Sequence, residues 1–247
     1  MQIINQKTVE VCFSPALINL FDCKGATIVV VDILRATSSI CVAFEHGAES
    51  IIPLASIEET IKYKEKGYLI AGERNGEMIE GFDLGNSPFG FMENRIRGSK
   101  IALTTTNGTQ AINAIPKDAA EIVIGSFLNL NAISNYLAEQ DRNVIVLCSG
   151  FKNKFNLEDT LLAGAIVNRL RLNQKHTIDC DSAVAAEYLY LKAKDNLFEF
   201  LENSSHRKRL HKLHIESDIK YCLSPNQSKA IPVMRDGVLV NYKEKSE

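Results

Sequence analysis

The chain lacks several features that mark common classes of protein. Its 28 lysines and arginines are balanced by 30 aspartates and glutamates, for a formal net charge of -2, so it has no basic excess with which to grip a nucleic-acid backbone. No run of about eighteen apolar residues occurs, and charged residues interrupt positions 1–25, which argues against a membrane span or a signal peptide. We therefore expect a cytoplasmic protein that binds neither nucleic acid nor membrane.

The spacing of the cysteines argues against two kinds of site. The six cysteines, at positions 12, 23, 41, 148, 180 and 222, are scattered and form no CxxC pair. Neither a zinc site nor a redox pair is therefore expected. We expect reduced thiols that are largely buried.

Apolar, β-branched runs alternate with helix-forming stretches through the first 150 residues. The runs predict strands at 27–31, 50–54, 68–71, 100–103, 121–124 and 144–148. Helices are predicted between them at 37–46, 57–66, 107–115 and 131–139. Alternation of near-continuous apolar strands with helices predicts a three-layer α/β/α fold with a mainly parallel or mixed sheet.

The last third of the chain has a different pattern. Residues 158–214 are predicted to be helical, and 231–234 with 237–240 resemble a hairpin joined by Arg235-Asp236. No repeat, low-complexity tract or Pro/Gly/Ser-rich connector divides the chain, so one domain over residues 1–247 is expected. The stretch 181–201 is apolar nearly all round, and either core packing or a homodimer interface would have to cover it.

The loop at 72–88 concentrates four carboxylates, an arginine and four glycines directly after a predicted strand. Carboxylates prefer hard divalent cations such as Mg²⁺, and arginine offers a planar fork of donors to phosphate or carboxylate. Glycine lets backbone amides approach a ligand closely. The composition indicates a metal and anion site, and a polar surface loop whose glycines serve turns is the alternative.

Other predicted strands also end in polar residues, and ligands of open α/β sheets collect at the carboxyl ends of the strands. Thr104–Thr109 supplies four hydroxyls, an amide and a glycine at a predicted helix N-terminus. This composition resembles a phosphate cradle, although the lysine of a P-loop is absent. An ordinary threonine N-cap is the alternative explanation.

Several acidic and basic positions have more than one possible role. Asp32 follows the strand at 27–31 and could bind a cation, attack a phosphoryl group or cap the next turn. Arg35 could hold a phosphate oxygen or form a structural ion pair. Asp159, like its neighbour Glu158, either favours the dipole of a helix first turn or acts in the cleft as a metal ligand or general acid. The basic segment 204–214 is a solvated helix face or brings His206 or Arg209 to an anionic substrate.

Six motifs occur in order along the chain. They are DILRATSS at 32–39, AGER at 71–74, EGFDLGNSP at 80–88, TTTNGT at 104–109, GSFLN at 125–129 and LEDTLLAGAI at 157–166. In combination they closely resemble the 2-phosphosulfolactate phosphatase family, also called the ComB family. The resemblance covers essentially the whole chain. It implies a magnesium-dependent acid phosphatase of three-layer α/β/α fold that hydrolyses (R)-2-phospho-3-sulfolactate to 3-sulfolactate and phosphate in coenzyme M biosynthesis.

The resemblance turns the polar positions into a predicted site for Mg²⁺ and a small anionic phosphate ester. Mg²⁺ is expected on carboxylates drawn from Asp32, Glu73, Glu80 and Asp83. The phosphate is expected against a cradle formed by Thr104, Thr105, Thr106, Asn107, Gly108 and Thr109, with Arg35 as its clamp. Arg74 is then left for the carboxylate or sulfonate of the substrate. Asn86, Ser126 and His206 are further predicted substrate contacts, and Asp32, Arg35 and Asp159 are the predicted catalytic residues.

The nucleophile and the class of function stay open at this point. Attack by Asp32 to form an aspartyl phosphate and direct attack by a metal-activated water are both compatible with the sequence. A non-catalytic module that binds anionic metabolites, and a transferase or isomerase acting on a phosphosugar, are the alternative classes.

Overall fold

A computed structural model describes residues 7–211, 213 and 215–243 of the chain and confirms the three-layer α/β fold. Eleven strands form one mixed sheet. The strands are β1 (Lys7–Cys12), β2 (Thr27–Val31), β3 (Ser50–Pro53), β4 (Leu69–Arg74), β5 (Glu77–Met78), β6 (Lys100–Thr104), β7 (Glu121–Gly125), β8 (Val144–Cys148), β9 (His176–Ile178), β10 (Pro232–Arg235) and β11 (Val238–Asn241). The helices are α1 (Ala36–Glu45), α2 (Ile57–Ile61), α3 (Gly108–Asn113), α4 (Leu130–Glu139), α5 (Leu157–Leu172), α6 (Asp181–Ala193), α7 (Leu197–Phe200), α8 (Ser205–His211) and α9 (Glu216–Cys222).

The sheet consists of two parallel blocks joined by an antiparallel hairpin. The strand order is β5-β4-β6-β3-β11-β10-β7-β2-β8-β1-β9. Strands β4, β6 and β3 are parallel to one another, as are β7, β2, β8, β1 and β9. The hairpin β10–β11 pairs antiparallel with β7 on one side and with β3 on the other. The C-terminal hairpin is therefore the element that makes the predicted mixed sheet continuous.

The central strands are apolar on both faces because helices cover both sides of the sheet. In β2, Ile28 and Val30 belong to a core shared with α1, while Val29 and Val31 belong to a core shared with α4, α5 and α6. This alternation explains the unbroken β-branched run in the sequence, since neither face of the strand meets water. A rigid strand of this kind gives Asp32, the next residue, a fixed position.

The structure differs from the sequence-based expectations at several elements. Strands β1, β5 and β9 were not predicted, and β9 interrupts the stretch predicted to be helical. The two residues that join the closing hairpin are Asp236 and Gly237 rather than Arg235 and Asp236. Both have positive φ, at 50° and 80°, which fits the twist of a two-residue hairpin turn.

Helix α6 is only partly covered by the core. Ala183 and Ala186 pack against α5, whereas Val184 and Tyr188 are 39% and 70% exposed.

The six cysteines form no disulfide, and five of them are buried, as expected. Within the described ranges, no helix has the length and apolar character to cross a membrane. Lys212 and His214 of the predicted basic segment lie outside the described residues.

Candidate active site

A cavity of about 100 Å³ lies where β2, β4 and β6 end. Seven residues predicted from the sequence line it: Asp32, Arg35, Glu73, Asn86, Thr106, Asn107 and His206. Seven further residues complete the wall: Leu34, Asn75, Gly76, Phe151, Arg209, Leu210 and Leu213. The cavity thus joins strand ends from both parallel blocks to the C-terminal helix α8.

Asp32 lies between the end of β2 and the start of α1 and is 7% exposed. Burial raises the pKa of Asp32 to about 7. The charge on His206 and the N–H of Ala36 oppose this rise, and the carboxylates of Glu73 and Glu158 add to it. Gly108 packs so closely that a Cβ there would lie 3.2 Å from Asp32 Oδ2, so a larger residue would crowd this carboxylate.

Glu73 holds two of the loops that line the cavity. Its Oε1 accepts the N–H of Thr106 at 2.7 Å, and its Oε2 accepts the N–H of Gly76 at 2.7 Å. Each carboxylate oxygen has a further lone pair. Glu73 can therefore position the loop after β6 and still present oxygens to a ligand.

Arg35 forms the structural ion pair that was one of its two expected roles. Its Nη1 lies 2.5 Å from Asp218 Oδ2, and its Nη2 donates to the carbonyl oxygen of Gly76 at 2.8 Å. Ser87 donates to the other oxygen of Asp218 at 3.1 Å. The peptide bond between Leu34 and Arg35 is cis. Since the guanidinium has five N–H donors, it can also bind a ligand in the cavity that it lines.

His206 lies on α8 and pairs with a carboxylate from α5. Its Nδ1 is 2.5 Å from Oε1 of Glu158, which is 1% exposed. The other ring nitrogen, Nε2, is left for the cavity that the side chain lines. A carboxylate that fixes one nitrogen of an imidazole also fixes the direction of the other.

Arg209 is the cation that the predicted site omitted. Its guanidinium carbon lies 3.9 Å from the ring centroid of Phe151, an arrangement in which a cation is attracted to the ring face. Its Nη2 is buried and has no hydrogen-bond partner among the described residues. Burial lowers the pKa of Arg209, and the negative charge of Glu158 opposes this shift.

Two oxygen atoms at the cavity are also buried without a hydrogen-bond partner in the described part of the chain. They are Oδ1 of Asn86 and Oγ1 of Thr106. Buried polar atoms are nearly always paired, so unpaired ones at a cavity wall indicate a ligand or ordered water. The described residues contain no group of three or more His, Cys, Asp or Glu side chains spaced to hold a metal.

The structure does not bring three charged residues of the loop at 72–88 to the cavity, although they were predicted to bind ligand. Asp83 accepts the N–H of Ile70 at 2.9 Å and lies 3.4 Å from Lys64 Nζ. Glu80 is exposed and is not part of the cavity wall. Arg74 donates to Thr104 Oγ1 at 3.0 Å and also lies outside the wall. Asp83 and Arg74 therefore support the strands β4 and β6, so the loop at 72–88 is charged without being wholly a binding loop.

Most of the predicted threonine cradle supports its own turn. Thr109 donates from its backbone and its hydroxyl to Thr105, and helix α3 has only six residues. Thr104, Thr105, Gly108 and Thr109 lie behind the cavity wall, and only Thr106 and Asn107 are part of it. The N-cap of α3 is Asn107, without a side-chain cap hydrogen bond, so these threonines stabilise the turn before α3 through the contacts between Thr105 and Thr109.

Ser126 and Asp159 have structural partners behind the cavity. Ser126 caps the turn at 127–129 and lies 2.9 Å from the Ser38 hydroxyl. Asp159 accepts the N–H of Ile33 at 3.1 Å and the N–H of Gly150 at 3.0 Å, so it ties together the loops after β2 and β8. Burial raises the pKa of Asp159 well above its usual range, with nearby Glu158 and Asp32 adding to the rise.

The comparisons with known proteins agree with the motifs. The family model for 2-phosphosulpholactate phosphatase matches residues 12–237. A protein of Thermotoga maritima named "probable 2-phosphosulfolactate phosphatase" is 43% identical over 219 residues, which cover 89% of this chain and 92% of the relative. A Caldanaerobacter subterraneus protein of the same name is 36% identical over 226 residues, 90% of this chain and 93% of the relative. This chain belongs to the 2-phosphosulfolactate phosphatase family.

Proposed function

We propose that this protein is a phosphatase that hydrolyses a phosphate monoester carrying a second anionic group. One observation carries the proposal: two buried carboxylates, Asp32 and Glu73, share a small cavity with two arginines, Arg35 and Arg209. The arginines suit an anionic substrate, and the carboxylates suit a cation that neutralises charge during phosphoryl transfer. Membership of the family supports the same reaction class.

The phosphate is expected at the end of the cavity formed by Arg35, Thr106 and Asn107. Arg35 is held by Asp218 and by the carbonyl of Gly76, so its remaining donors point in fixed directions. Positioning and charge stabilisation are the main protein contributions to phosphoryl transfer. Because Arg35 is already ordered, it loses little conformational entropy when the phosphate binds.

The second anionic group is expected at Arg209. The stacking on Phe151 and the unpaired Nη2 leave this guanidinium ready to donate to a carboxylate or sulfonate. Leu210 and Leu213 line the same cavity and suit a short carbon chain between the two anions. A 2-hydroxy-acid phosphate fits this description, and (R)-2-phospho-3-sulfolactate, an intermediate that the family links to coenzyme M, is the proposed substrate.

The residues present fit a Mg²⁺ ion. Mg²⁺ is usually held by one or two carboxylates, further oxygen donors, waters and substrate phosphate, rather than by a closed protein cage. Asp32 and Glu73 supply the carboxylates, and the unpaired oxygens of Asn86 and Thr106 supply neutral donors. When bound, the ion would neutralise the charge that develops on the phosphoryl oxygens. Asp83 and Glu80 are not part of this proposed ligand set.

Phosphate release is the direct test of the proposed reaction. The purified protein should release phosphate from phosphosulfolactate and phospholactate when Mg²⁺ is present, and a chelator should stop the reaction. Tight binding of these esters without phosphate release would instead support a non-catalytic binding protein. Turnover of a phosphosugar without release of phosphate would support a transferase or isomerase.

A thermal shift tests the metal separately from activity. Mg²⁺ at about 100 times its Kd should stabilise the fold by about 2.7 kcal/mol, a rise in Tm of roughly 5–11 °C for a chain of this size. Asp32→Asn should abolish the shift, and Asp83→Asn should retain it because Asp83 contacts Ile70 and Lys64 outside the cavity. An equal loss in both variants would contradict the proposed ligand set.

A further inference from the structure

His206 and Glu158 form a buried pair in which a carboxylate fixes the orientation of the imidazole, and a side chain that only contacts substrate would not need such a partner. Glu158 is buried in the first turn of α5, and its Oε1 lies 2.5 Å from Nδ1 of His206. The imidazole is 9% exposed and lines the cavity beside Asp32. A buried carboxylate thus directs the free nitrogen Nε2 toward the place where the substrate is expected.

Asp32 is already assigned to the cation, and the other groups near the cavity are poorly suited to proton transfer. Arg35 and Arg209 stay protonated at any ordinary pH and cannot donate a proton to a leaving group. Asp159 is a predicted catalytic residue, but its two carboxylate oxygens accept hydrogen bonds from the N–H groups of Ile33 and Gly150. Glu73 likewise holds Thr106 and Gly76. Histidine is the side chain that most readily gives and takes a proton near neutral pH.

We propose that His206 is the general acid that protonates the leaving oxygen of the ester, and that Glu158 is the residue that positions it. This inference rests on the proposed phosphatase function. As the bond between phosphorus and the ester oxygen breaks, its electron pair stays on that oxygen, which takes the proton from Nε2 of His206. Water supplies the new oxygen of the phosphate and, in the full cycle, the proton that returns to His206. Protonation of the leaving group is needed whether water or Asp32 attacks the phosphorus.

The dependence on the leaving group tests this role. The alkoxide released from phospholactate needs a proton, whereas the 4-nitrophenolate released from 4-nitrophenyl phosphate is stable without one. His206→Gln should lower kcat for phospholactate by about 10²–10⁴-fold and kcat for 4-nitrophenyl phosphate by less than about tenfold. His46→Gln is the control, because His46 is exposed at the end of α1 and its removal should change neither rate.

Glu158 is tested through its dependence on His206. Glu158→Gln keeps the shape of the side chain and should lower kcat for phospholactate more than kcat for 4-nitrophenyl phosphate. If Glu158 acts through the imidazole, the double variant with His206→Gln should be no slower than His206→Gln alone. A Tm within a few degrees of wild type, measured for each variant, shows that the fold is intact.

The outcomes separate this inference from the function on which it rests. Equal losses on both esters in His206→Gln would overturn the general-acid role and leave a binding or structural role. Further loss in the double variant would overturn the positioning role of Glu158. If the wild-type protein released phosphate from neither of these esters nor from phosphosulfolactate, the proposed phosphatase function would itself be wrong.

Discussion

Removal of the Asp218 carboxylate should destabilise the protein far more than removal of its neighbour Glu216. Both residues lie in the first turn of α9. Asp218 forms a buried pair with Arg35 at 2.5 Å, with side chains 6% and 5% exposed, and also accepts from Ser87. Glu216 pairs with Lys220 at 3.0 Å, and these side chains are 49% and 60% exposed. The two changes therefore differ mainly in burial.

The magnitudes follow from that difference. Breaking a buried pair by removing one partner costs about 3–5 kcal/mol because the other charge is left without compensation. An exposed pair four residues apart on a helix contributes about 0.3–0.5 kcal/mol. With roughly 2–4 °C per kcal/mol for a chain of this size, Asp218→Ala should lower the Tm by roughly 6–20 °C. Glu216→Ala should lower it by less than about 2 °C.

A paired replacement checks the cause. If the cost arises from the stranded guanidinium, then Arg35→Met combined with Asp218→Leu should recover most of the stability, since apolar residues of similar volume often replace a buried ion pair without loss. The double variant should nevertheless lose turnover, because Arg35 lines the cavity. Thermal unfolding followed by circular dichroism measures the first effect and phosphate release the second. Equal shifts for Asp218→Ala and Glu216→Ala would refute this reasoning.

Two further predictions concern Arg209 and His176. Arg209→Gln should lower kcat/KM by about 10- to 150-fold for esters with a second anionic group and much less for esters without one. Arg207→Gln is the control, because Arg207 is stacked on Phe198 outside the cavity. In a phosphate-release assay this change should affect kcat/KM for both classes of ester alike. Burial lowers the pKa of His176. Below about pH 6.5 the unfolded chain therefore binds more protons than the folded protein, and the free energy of unfolding decreases as the pH is lowered. His176→Gln should flatten the decline of Tm from about pH 7.5 to about 5.5, whereas exposed His46→Gln should not.

Local sequence patterns predicted the parts of the fold that depend on local chemistry. The β-branched run at 27–31 and the apolar run at 144–148 match β2 and β8 residue for residue, because strands buried on both faces need unbroken apolar sequence. Strand β9 could not be found in this way. Its three residues have no periodicity of their own, and it forms by pairing with β1, far away in the sequence.

The candidate site shows the same division. Position at a strand end was enough to find Asp32, Glu73 and Thr106, since the topology brings strand ends together. It could not distinguish Glu73 from Asp83, because the difference lies in a contact between Asp83 and the backbone of Ile70. Arg209 belongs to no strand end and lies outside the six longer motifs. Its stacking on Phe151 is a tertiary contact between α8 and the loop after β8, and only the basic composition of its segment pointed to it.

The carboxylates around the cavity differ in whether they have a specific partner among the described residues. Four acidic side chains near it have specific partners: Glu73 and Asp159 hold backbone N–H groups, Glu158 holds His206, and Asp218 holds Arg35. Asp32 has no such strong partner among the described residues and sits in the field of two of these carboxylates. Burial is the main cause of its raised pKa, and the carboxylates of Glu73 and Glu158 add to the rise. The Mg²⁺ ion proposed above would place positive charge beside Asp32 and Glu73, so the pKa of Asp32 should fall toward its usual range when the ion binds.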